Sequence, residues 1–103
     1  MNEATVVRDD RRAIVRPSGD VVAASVPELR STMKTALSGG IQELVIDLRD
    51  VHMVDSSGIG LLISAHNSMR KAGGRLTLIH TSGEVLDLLR TMRIHQHFSI
   101  TGD

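Results

Sequence analysis

The sequence predicts a single α/β domain: a small mixed, mostly parallel β-sheet with helices packed against it. Two short runs, Glu43–Leu48 and Arg75–His80, are rich in aliphatic and β-branched residues, as strands of a parallel sheet are. Segments with apolar residues at helical spacing follow both runs. Alternation of strand and helix implies right-handed crossovers. A length of 103 residues suits one domain with its own core, spanning residues 1–103.

Composition excludes several classes of protein. Phe98 is the only aromatic residue, so the core is aliphatic and platforms for stacking nucleic-acid bases are missing. The 12 basic and 12 acidic residues cancel, which leaves no basic field for nucleic acid. The absence of cysteine excludes disulfides and thiolate zinc sites. The polar N-terminus is unlike a signal peptide, and no apolar run is long enough for membrane insertion. We expect a soluble, cytoplasmic protein.

The N-terminal part of the chain predicts a hairpin and one helix. Runs Ala4–Arg8 and Ala13–Pro17 flank a charged turn and predict two antiparallel strands. Residues 20–25 fit either a short strand or a lead into the helix. Ser25 is the candidate N-cap, with Pro27 and Glu28 in the first turn. The predicted buried face of the helix, which ends at residues 38–40, consists of Leu29, Met33, Ala36 and Leu37.

The remaining chain alternates strands and helices. Glu43–Leu48 is apolar enough to be buried on both faces, which implies helices on each side of the sheet. The second helix ends at Gly73-Gly74, a third helix is predicted over residues 82–93, and residues 97–100 predict a last strand. The predicted buried face of the second helix consists of Ile59, Leu62, Ile63, His66 and Met69. That of the third helix consists of Val85, Leu88, Leu89 and Met92.

The stretch "MVDSSGIGLL" (residues 53–62) lies where a buried strand gives way to a helix, beyond the carboxyl end of the strand, where sites of parallel sheets lie. Asp55 or Ser56 is placed to cap the helix. Gly58 and Gly60 leave its first turn without bulk, so that another backbone can approach. Two interpretations remain open from the residues alone: capping and close packing, or a hydroxyl whose phosphorylation changes an interface without unfolding the domain.

The segment "LVIDLRDVHMVDSSGIGLLISAHNSMRKAGGRLTLIH" (residues 44–80) resembles the STAS domain family, named for sulphate transporters and anti-sigma factor antagonists. The similarity is greatest to the small stand-alone bacterial antagonists. It rests on a strand carrying Asp47, the Asp-Ser-Ser-Gly-Ile-Gly core and a helix ending in Gly-Gly, and it extends from about Ala4 to Ile100.

The resemblance implies a function without catalysis. The unphosphorylated domain would bind an anti-sigma factor that is also a serine kinase of the GHKL type, and would thereby release a sigma factor. The kinase would phosphorylate Ser56, with Ser57 the alternative, and a metal-dependent Ser/Thr phosphatase would reverse the reaction. ATP and Mg²⁺ would belong to the kinase, so this chain would need no cofactor or metal. The implied partner-binding residues are Asp20, Asp55, Ser56, Ser57, Gly58, Ile59 and Gly60.

The chain departs from the family pattern in two places. Many antagonists carry Gly-x-Leu-Asp before the first helix, whereas this chain has Gly-Asp-Val-Val, with Val22 at the aspartate position and Asp20 two residues earlier. Many relatives also continue into one more helix after the last strand, and Arg93 stands where a glycine is common. The altered Gly-Asp-Val-Val stretch keeps open a second function, a STAS scaffold in a sensory complex. A regulatory subunit of a lipid-transport ATPase, which uses the same fold, is a third.

Other candidate residues are weaker. His95 and His97 would share one face of a strand, but a metal site needs more ligands than two. His52 is expected in an exposed loop and His66 in the core. A hydrolase with Ser56 as its nucleophile would need a Gly-x-Ser-x-Gly turn, which this sequence lacks. The clusters "RDDRR" and "MRKAGGR" are expected to be solvated, although the second could contact an acidic partner. Met53 is expected to be exposed near the partner surface, and the other internal methionines to fill the core.

Overall fold

The computed structural model describes residues 4–100 and confirms the predicted mixed α/β fold. In the described residues the elements follow one another as β1 (Thr5–Arg8), β2 (Arg12–Arg16), α1 (Val26–Leu37), β3 (Glu43–Asp47), α2 (Ser56–Lys71), β4 (Arg75–Ile79), α3 (Gly83–Thr91), a single 3₁₀ turn (His95–His97) and β5 (Ser99–Ile100). The strands form one sheet in sequence order. Strands β1 and β2 are the predicted antiparallel hairpin, and all later pairs are parallel.

The strand order places the helices on one face of the sheet. From β2 to β5 each strand is added on the same side of the previous one, and right-handed crossovers that advance in one direction all pass over the same face. The core agrees, because it is one cluster of residues that alternate along the strands together with the buried residues of all three helices. The cluster includes Ala13, Val15, Leu44, Ile46, Leu76 and Leu78, with Leu29, Met33, Leu62, Met69, Val85 and Leu89.

The prediction of helices on both faces is therefore wrong, although β3 is indeed buried on both. Val45 belongs to the opposite face and is 1 % exposed. In the register of the sheet it lies between Ile14 and Thr77, so neighbouring strands cover it. Farther along this face, Asp47 is covered by its ion pair with Arg49. A central strand can thus be apolar on both sides without a second helical layer, because flanking side chains exclude the water.

Helix α1 begins after Ser25 as predicted, but the predicted side-chain cap is absent. The Ser25 hydroxyl donates to the carbonyl of Asp20 at 2.7 Å and accepts from the amide of Val22 at 3.1 Å. Ser25 is buried, so its hydroxyl stabilises the loop before the helix instead of the first turn. Residues 20–25 are neither strand nor helix, apart from a one-residue parallel bridge between Val21 and Val54.

Helices α2 and α3 end in the same hydrogen-bonded motif. After α2 the amides of Gly73 and Gly74 donate to the carbonyls of Arg70 and Met69; after α3 those of Arg93 and Ile94 donate to Arg90 and Leu89. This Schellman motif needs left-handed backbone at the residue after the C-cap, which is Gly73 for α2 and Arg93 for α3. Glycine provides it after α2, with φ +77°, whereas Arg93 adopts φ +59° after α3. The position where relatives often carry glycine is thus a left-handed one.

The C-terminal segment differs most from the prediction. His95 and His97 lie in the 3₁₀ turn and not on a strand, so they do not share a strand face, and β5 is only two residues long. Met92 is 44 % exposed at the end of α3 and not part of its buried face. Residues 101–103, where a further helix of relatives would begin, lie outside the described residues.

Replacing Arg93 with glycine should stabilise the protein. The left-handed conformation costs a non-glycine residue about 1–2 kcal/mol, and the added freedom of glycine in the unfolded chain returns about 0.4–1 kcal/mol of that. We expect urea denaturation to show a gain of about 0.5–1 kcal/mol. The control Arg90→Gly, three residues earlier and inside α3, should lose a similar amount. A loss of stability in Arg93→Gly would contradict the assigned backbone conformation.

Candidate functional site

Two loops meet at the edge of the sheet formed by the carboxyl ends of the parallel strands. Residues 17–25 join β2 to α1, and residues 48–55 join β3 to α2. The Val21 amide donates to the Met53 carbonyl at 3.0 Å, and the Asp55 amide donates to the Val21 carbonyl at 3.3 Å. These bonds surround the bridge between Val21 and Val54. The loops are therefore joined by backbone pairing before any side chain contributes.

Two carboxylates then connect the loops in opposite directions. From the first loop, Oδ1 of Asp20 accepts the amides of His52 and Met53, both at 3.0 Å. From the second loop, Oδ2 of Asp55 accepts the amide of Ala23 at 2.9 Å. We call Asp20, Asp55 and the amides that they accept the carboxylate clamp. Each loop thus supplies one acceptor to the other, which fixes their relative position.

Asp55 also caps helix α2, one of the two possibilities that the sequence left open. Its Oδ1 accepts the amide of Gly58 at 3.0 Å, three residues into the chain from the cap. The hydrogen bond from Gly58, followed by that from Ala23, holds the pKa of the Asp55 carboxyl below its ordinary value. Asp55 is therefore an anion at neutral pH, at the positive end of the helix dipole.

The exposed residues of this helix start are Ser56, Ser57 and Gly60. Within residues 4–100, neither serine hydroxyl has a hydrogen-bond partner. Ser56 and Gly60 are four residues apart in α2 and therefore lie on the same side of the helix. Met53 precedes them and is 60 % exposed, as predicted. The helix start thus presents two free hydroxyls beside a bare stretch of backbone.

The two glycines have different environments. A Cβ on Gly58 would lie 2.2 Å from the Val21 carbonyl oxygen and 2.7 Å from a methyl carbon of Val54. Gly58 therefore lets the first loop contact the helix, and it is buried like its neighbour Ile59. A Cβ on Gly60 would meet no atom within 4 Å. Of the predicted partner-binding residues, Gly58 and Ile59 thus contribute to the packing of the domain rather than to its exposed surface.

Val22 and Asp20 clarify the departure from the family pattern. Val22 is half-buried, and its backbone amide and carbonyl form hydrogen bonds with Ser25 in the turn before α1. The Asp20 carboxylate binds the backbone of the second loop, as described above. Asp20 therefore has a structural role in joining the loops, and Val22 contributes no charge to the surface around Ser56.

One cluster at this edge escaped the sequence interpretation. The Asp47 carboxylate accepts the backbone amide of Arg49 at 3.0 Å and its Nε at 3.0 Å. The other end of the Arg49 guanidinium lies 3.0 Å from Nε2 of His80, which has a left-handed φ of +54°. The Asp-x-Arg spacing was the available signal, but the participation of His80 depends on pairing of β3 with β4.

His52 and His66 have different environments. His52 is exposed as expected, and its backbone amide belongs to the carboxylate clamp. His66 is half-buried and packs edge-on against Phe98, with ring centroids 5.5 Å apart. No group of three metal-ligating side chains occurs among residues 4–100. In the same part of the chain, no helix is long and apolar enough to cross a membrane.

Comparison with known proteins agrees with this fold. A family model of the STAS domain matches residues 3–102. A curated relative, the anti-sigma-B factor antagonist of Bacillus subtilis (strain 168), is 31 % identical over 88 residues, which cover 85 % of this chain and 72 % of the relative. The chain belongs to the STAS domain family.

Solved structures of low sequence identity share the fold. An anti-sigma factor antagonist from Mycobacterium paratuberculosis superposes with a TM-score of 0.87 at 18 % identity, over 100 % of this chain and 87 % of that one. The unphosphorylated form of SpoIIAA gives 0.81 at 18 % identity, over 96 % and 88 %. SpoIIAA of Bacillus in its phosphorylated form gives 0.74 at 17 % identity, over 96 % and 91 %.

The two glycines should respond in opposite ways to alanine. Gly58→Ala forces a methyl group against backbone and should cost about 1–3 kcal/mol of unfolding free energy. Gly60→Ala has space and improves helix propensity, so it should gain about 0.5–1 kcal/mol. Chemical denaturation of both variants provides the comparison. Equal losses in the two variants would mean that the first loop does not approach the helix at Gly58.

Asp55 should make stability depend on pH in a defined direction. Because folding lowers its pKa, its contribution is complete above the pKa of an unfolded aspartate, about 3.9, and is lost as the pH falls through the lower folded value. Asp55→Asn keeps an acceptor but cannot bind both amides as a carboxylate does. The melting-temperature difference between wild type and Asp55→Asn should be constant near neutrality and shrink at acidic pH.

The matched control for this measurement is Asp10→Asn, since Asp10 is exposed and its side chain has no hydrogen bond or ion pair with any described residue. Its melting temperature should follow that of the wild type at every pH. A pH-independent difference for Asp55→Asn would show that the charge of the carboxylate does not contribute.

Proposed function

We propose that this protein is an anti-sigma factor antagonist controlled by phosphorylation of Ser56. The unphosphorylated domain binds an anti-sigma factor through the surface of Ser56, Ser57 and Gly60 and so releases a sigma factor. The single observation that carries the proposal is the Ser56 hydroxyl, which is exposed and unbonded at the first residue of α2 on backbone held by the carboxylate clamp.

The relatives support this choice of function. The B. subtilis relative is named as an antagonist of an anti-sigma factor, and SpoIIAA, which shares the fold, is known in unphosphorylated and phosphorylated forms. The domain needs no catalytic group for this role.

The electrostatics of the site suit a switch that acts on binding and not on folding. Phosphate adds a charge of about −1.5 to −2 at neutral pH. The start of α2 gives back about 0.3–1 kcal/mol through the helix dipole, so the domain stays folded. Ionised Asp55 lies next to the modified residue in sequence, and the local negative charge therefore rises sharply. A partner surface that accepted the neutral hydroxyl would meet this charge in a desolvated interface, where it is costly.

We assign the covalent step to a partner kinase of the GHKL type. The Ser56 oxygen attacks the γ-phosphorus of ATP, the bond from that phosphorus to the bridging oxygen breaks, ADP leaves with Mg²⁺, and the hydroxyl proton passes to a base of the kinase. A metal-dependent phosphatase hydrolyses the phosphoserine and restores the hydroxyl. Both enzymes supply their own metal, and the antagonist supplies only the acceptor. A kinase that uses ATP, together with a sigma factor, sets the reaction in the cytoplasm.

The closeness of Ser57 makes the choice of acceptor testable. Both hydroxyls are exposed, but Ser56 directly follows the Asp55 cap. Ser57→Ala is therefore the matched control for Ser56→Ala: each removes one hydroxyl from the same helix turn.

Incubation with candidate GHKL kinases from the same genome, ATP and Mg²⁺, followed by intact-mass and phosphosite analysis, should find one phosphate. We expect it in wild type and Ser57→Ala and not in Ser56→Ala. Ser56→Ala should still bind the kinase, whereas Ser56→Asp should bind at least about tenfold more weakly, equivalent to about 1.4 kcal/mol. Its melting temperature should stay close to that of wild type.

Two results would contradict the proposal. Phosphate on Ser57 alone would move the acceptor by one residue. Absence of phosphate with every active kinase and a folded substrate would favour a STAS scaffold or a regulatory subunit of a lipid-transport ATPase. In that case the uncharged Val22 would be the first position to convert to aspartate.

A further inference from the structure

We propose a second docking surface at the end of the sheet opposite Ser56, where strands β2, β3 and β4 begin. This surface binds an acidic segment of a protein partner. An open cleft of about 560 Å³ lies at this edge. We call it the arginine cleft, and its lining residues are Arg11, Arg12, Gln42, Glu43, Gly73, Gly74 and Arg75. The proposal goes beyond the function described above and does not rest on it.

The fold brings together the two charged clusters that the sequence shows far apart. "RDDRR" forms the end of β1, the turn and the start of β2, and "MRKAGGR" joins the end of α2 to β4. Parallel pairing sets Arg12 beside Glu43 and Glu43 beside Arg75, all at the first residues of their strands. Arginines 63 positions apart in sequence, the difference between 12 and 75, thus flank one strand of the same sheet edge.

The cleft already binds one carboxylate in this way. Glu43 accepts Nε of Arg75 at 3.1 Å, and its other oxygen lies 3.7 Å from Nε of Arg12. The Thr77 hydroxyl donates, at 3.0 Å, to the same Glu43 oxygen that accepts Arg75. Glu43 is held by these partners and is only 21 % exposed at its side chain. Its environment is an internal example of the chemistry that we propose for the external ligand.

Most of the donors in the cleft remain free for that ligand. Both arginines approach Glu43 through Nε, which leaves their terminal guanidinium nitrogens available, and the Arg75 side chain is 71 % exposed. Arg11 has no ion pair with any residue in the described range 4–100. Three arginines therefore line the cleft, and two of them contact its one carboxylate. The nearby acidic residues of the turn, Asp9 and Asp10, line a separate cleft with Arg8.

The character of the cleft favours an extended acidic segment over an enclosed small ligand or single-stranded nucleic acid. It is open, and its lining lacks the apolar and aromatic walls that enclose small ligands. It also offers no aromatic platform for the bases of single-stranded nucleic acid. A guanidinium group binds a carboxylate bidentately through two parallel N–H donors. The terminal guanidinium nitrogens of these arginines can form such a pair of bonds. An extended segment with several Asp or Glu residues would contact more than one of the three arginines.

The distance between the two surfaces makes them independent. Strand β3 has five residues, so its ends are about 17 Å apart, which is about twice the screening length at physiological salt. A phosphate on Ser56 should therefore have little effect on a carboxylate in the arginine cleft. An acidic segment bound there could hold a partner near the switch in both states, which raises the effective concentration of the partner.

Titration of ¹⁵N-labelled protein with a short poly-glutamate peptide, and with poly-glutamine as the uncharged control, tests the proposal. The amides of Gln42, Gly73 and Gly74 should shift with poly-glutamate only. The double variant Arg11→Gln/Arg75→Gln should raise the Kd at least about fivefold. Arg30→Gln, which removes an exposed arginine of α1, should change the Kd less than about twofold, and so should Ser56→Asp.

Three results would overturn the proposal. Shifts outside the arginine cleft would place the binding elsewhere. An equal loss in Arg30→Gln would show attraction by charge in general. Tighter binding of a single-stranded oligonucleotide of the same charge would indicate a nucleic-acid surface instead. Circular dichroism of the double variant confirms that it is folded, and none of these results depends on whether Ser56 is phosphorylated.

Discussion

The carboxylate clamp is the interaction on which the functional surface depends. Backbone pairing at Val21 and Val54 brings two loops together, but a single bridge does not fix their orientation. Asp20 and Asp55 do so by accepting four amides in all, two each. One of these amides, that of Gly58, lies in the first turn of helix α2, so the bonds that join the loops also hold the helix start at Ser56. In the function proposed here, a phosphate on this hydroxyl would act on the bound partner and leave the supporting loops in place.

The fold separates residues that maintain the domain from residues available to partners over very short distances in sequence. Gly58 and Ile59 pack inward while Ser56, Ser57 and Gly60 remain on the surface. An exposed glycine within a helix weakens it, and nothing within the domain requires one at position 60. The proposed contact with a partner provides the reason. On a larger scale the two ends of the sheet differ: exposed hydroxyls beside carboxylates lie at one, and arginines that contact Glu43 lie at the other.

Much of the fold was predictable because it depends on local patterns: apolar spacing gave the helices, and glycines gave the ends of α1 and α2. The errors arose where tertiary structure decides. Ser25 occupies the cap position, but Asp20 and Val22 take its hydroxyl. Apolar β3 suggested two helical layers, whereas cross-strand neighbours cover Val45. Within the site, the turn at residues 55–60 was recognisable from its motif. The reciprocal role of Asp20 was not, since it requires contacts 32 and 33 residues away.

Amide hydrogen exchange of the isolated protein tests the central claim most directly. The amides of Ala23, His52, Met53 and Gly58 belong to exposed loops or a helix end, and without the clamp they would exchange as in an open chain. All four amides should be protected from exchange at neutral pH. Asp20→Asn should accelerate exchange at His52 and Met53, and Asp55→Asn should accelerate it at Ala23. Exchange of these amides at the rates of an unstructured peptide would show that the loops are not held by the carboxylates, and Ser56 would then lack its rigid support.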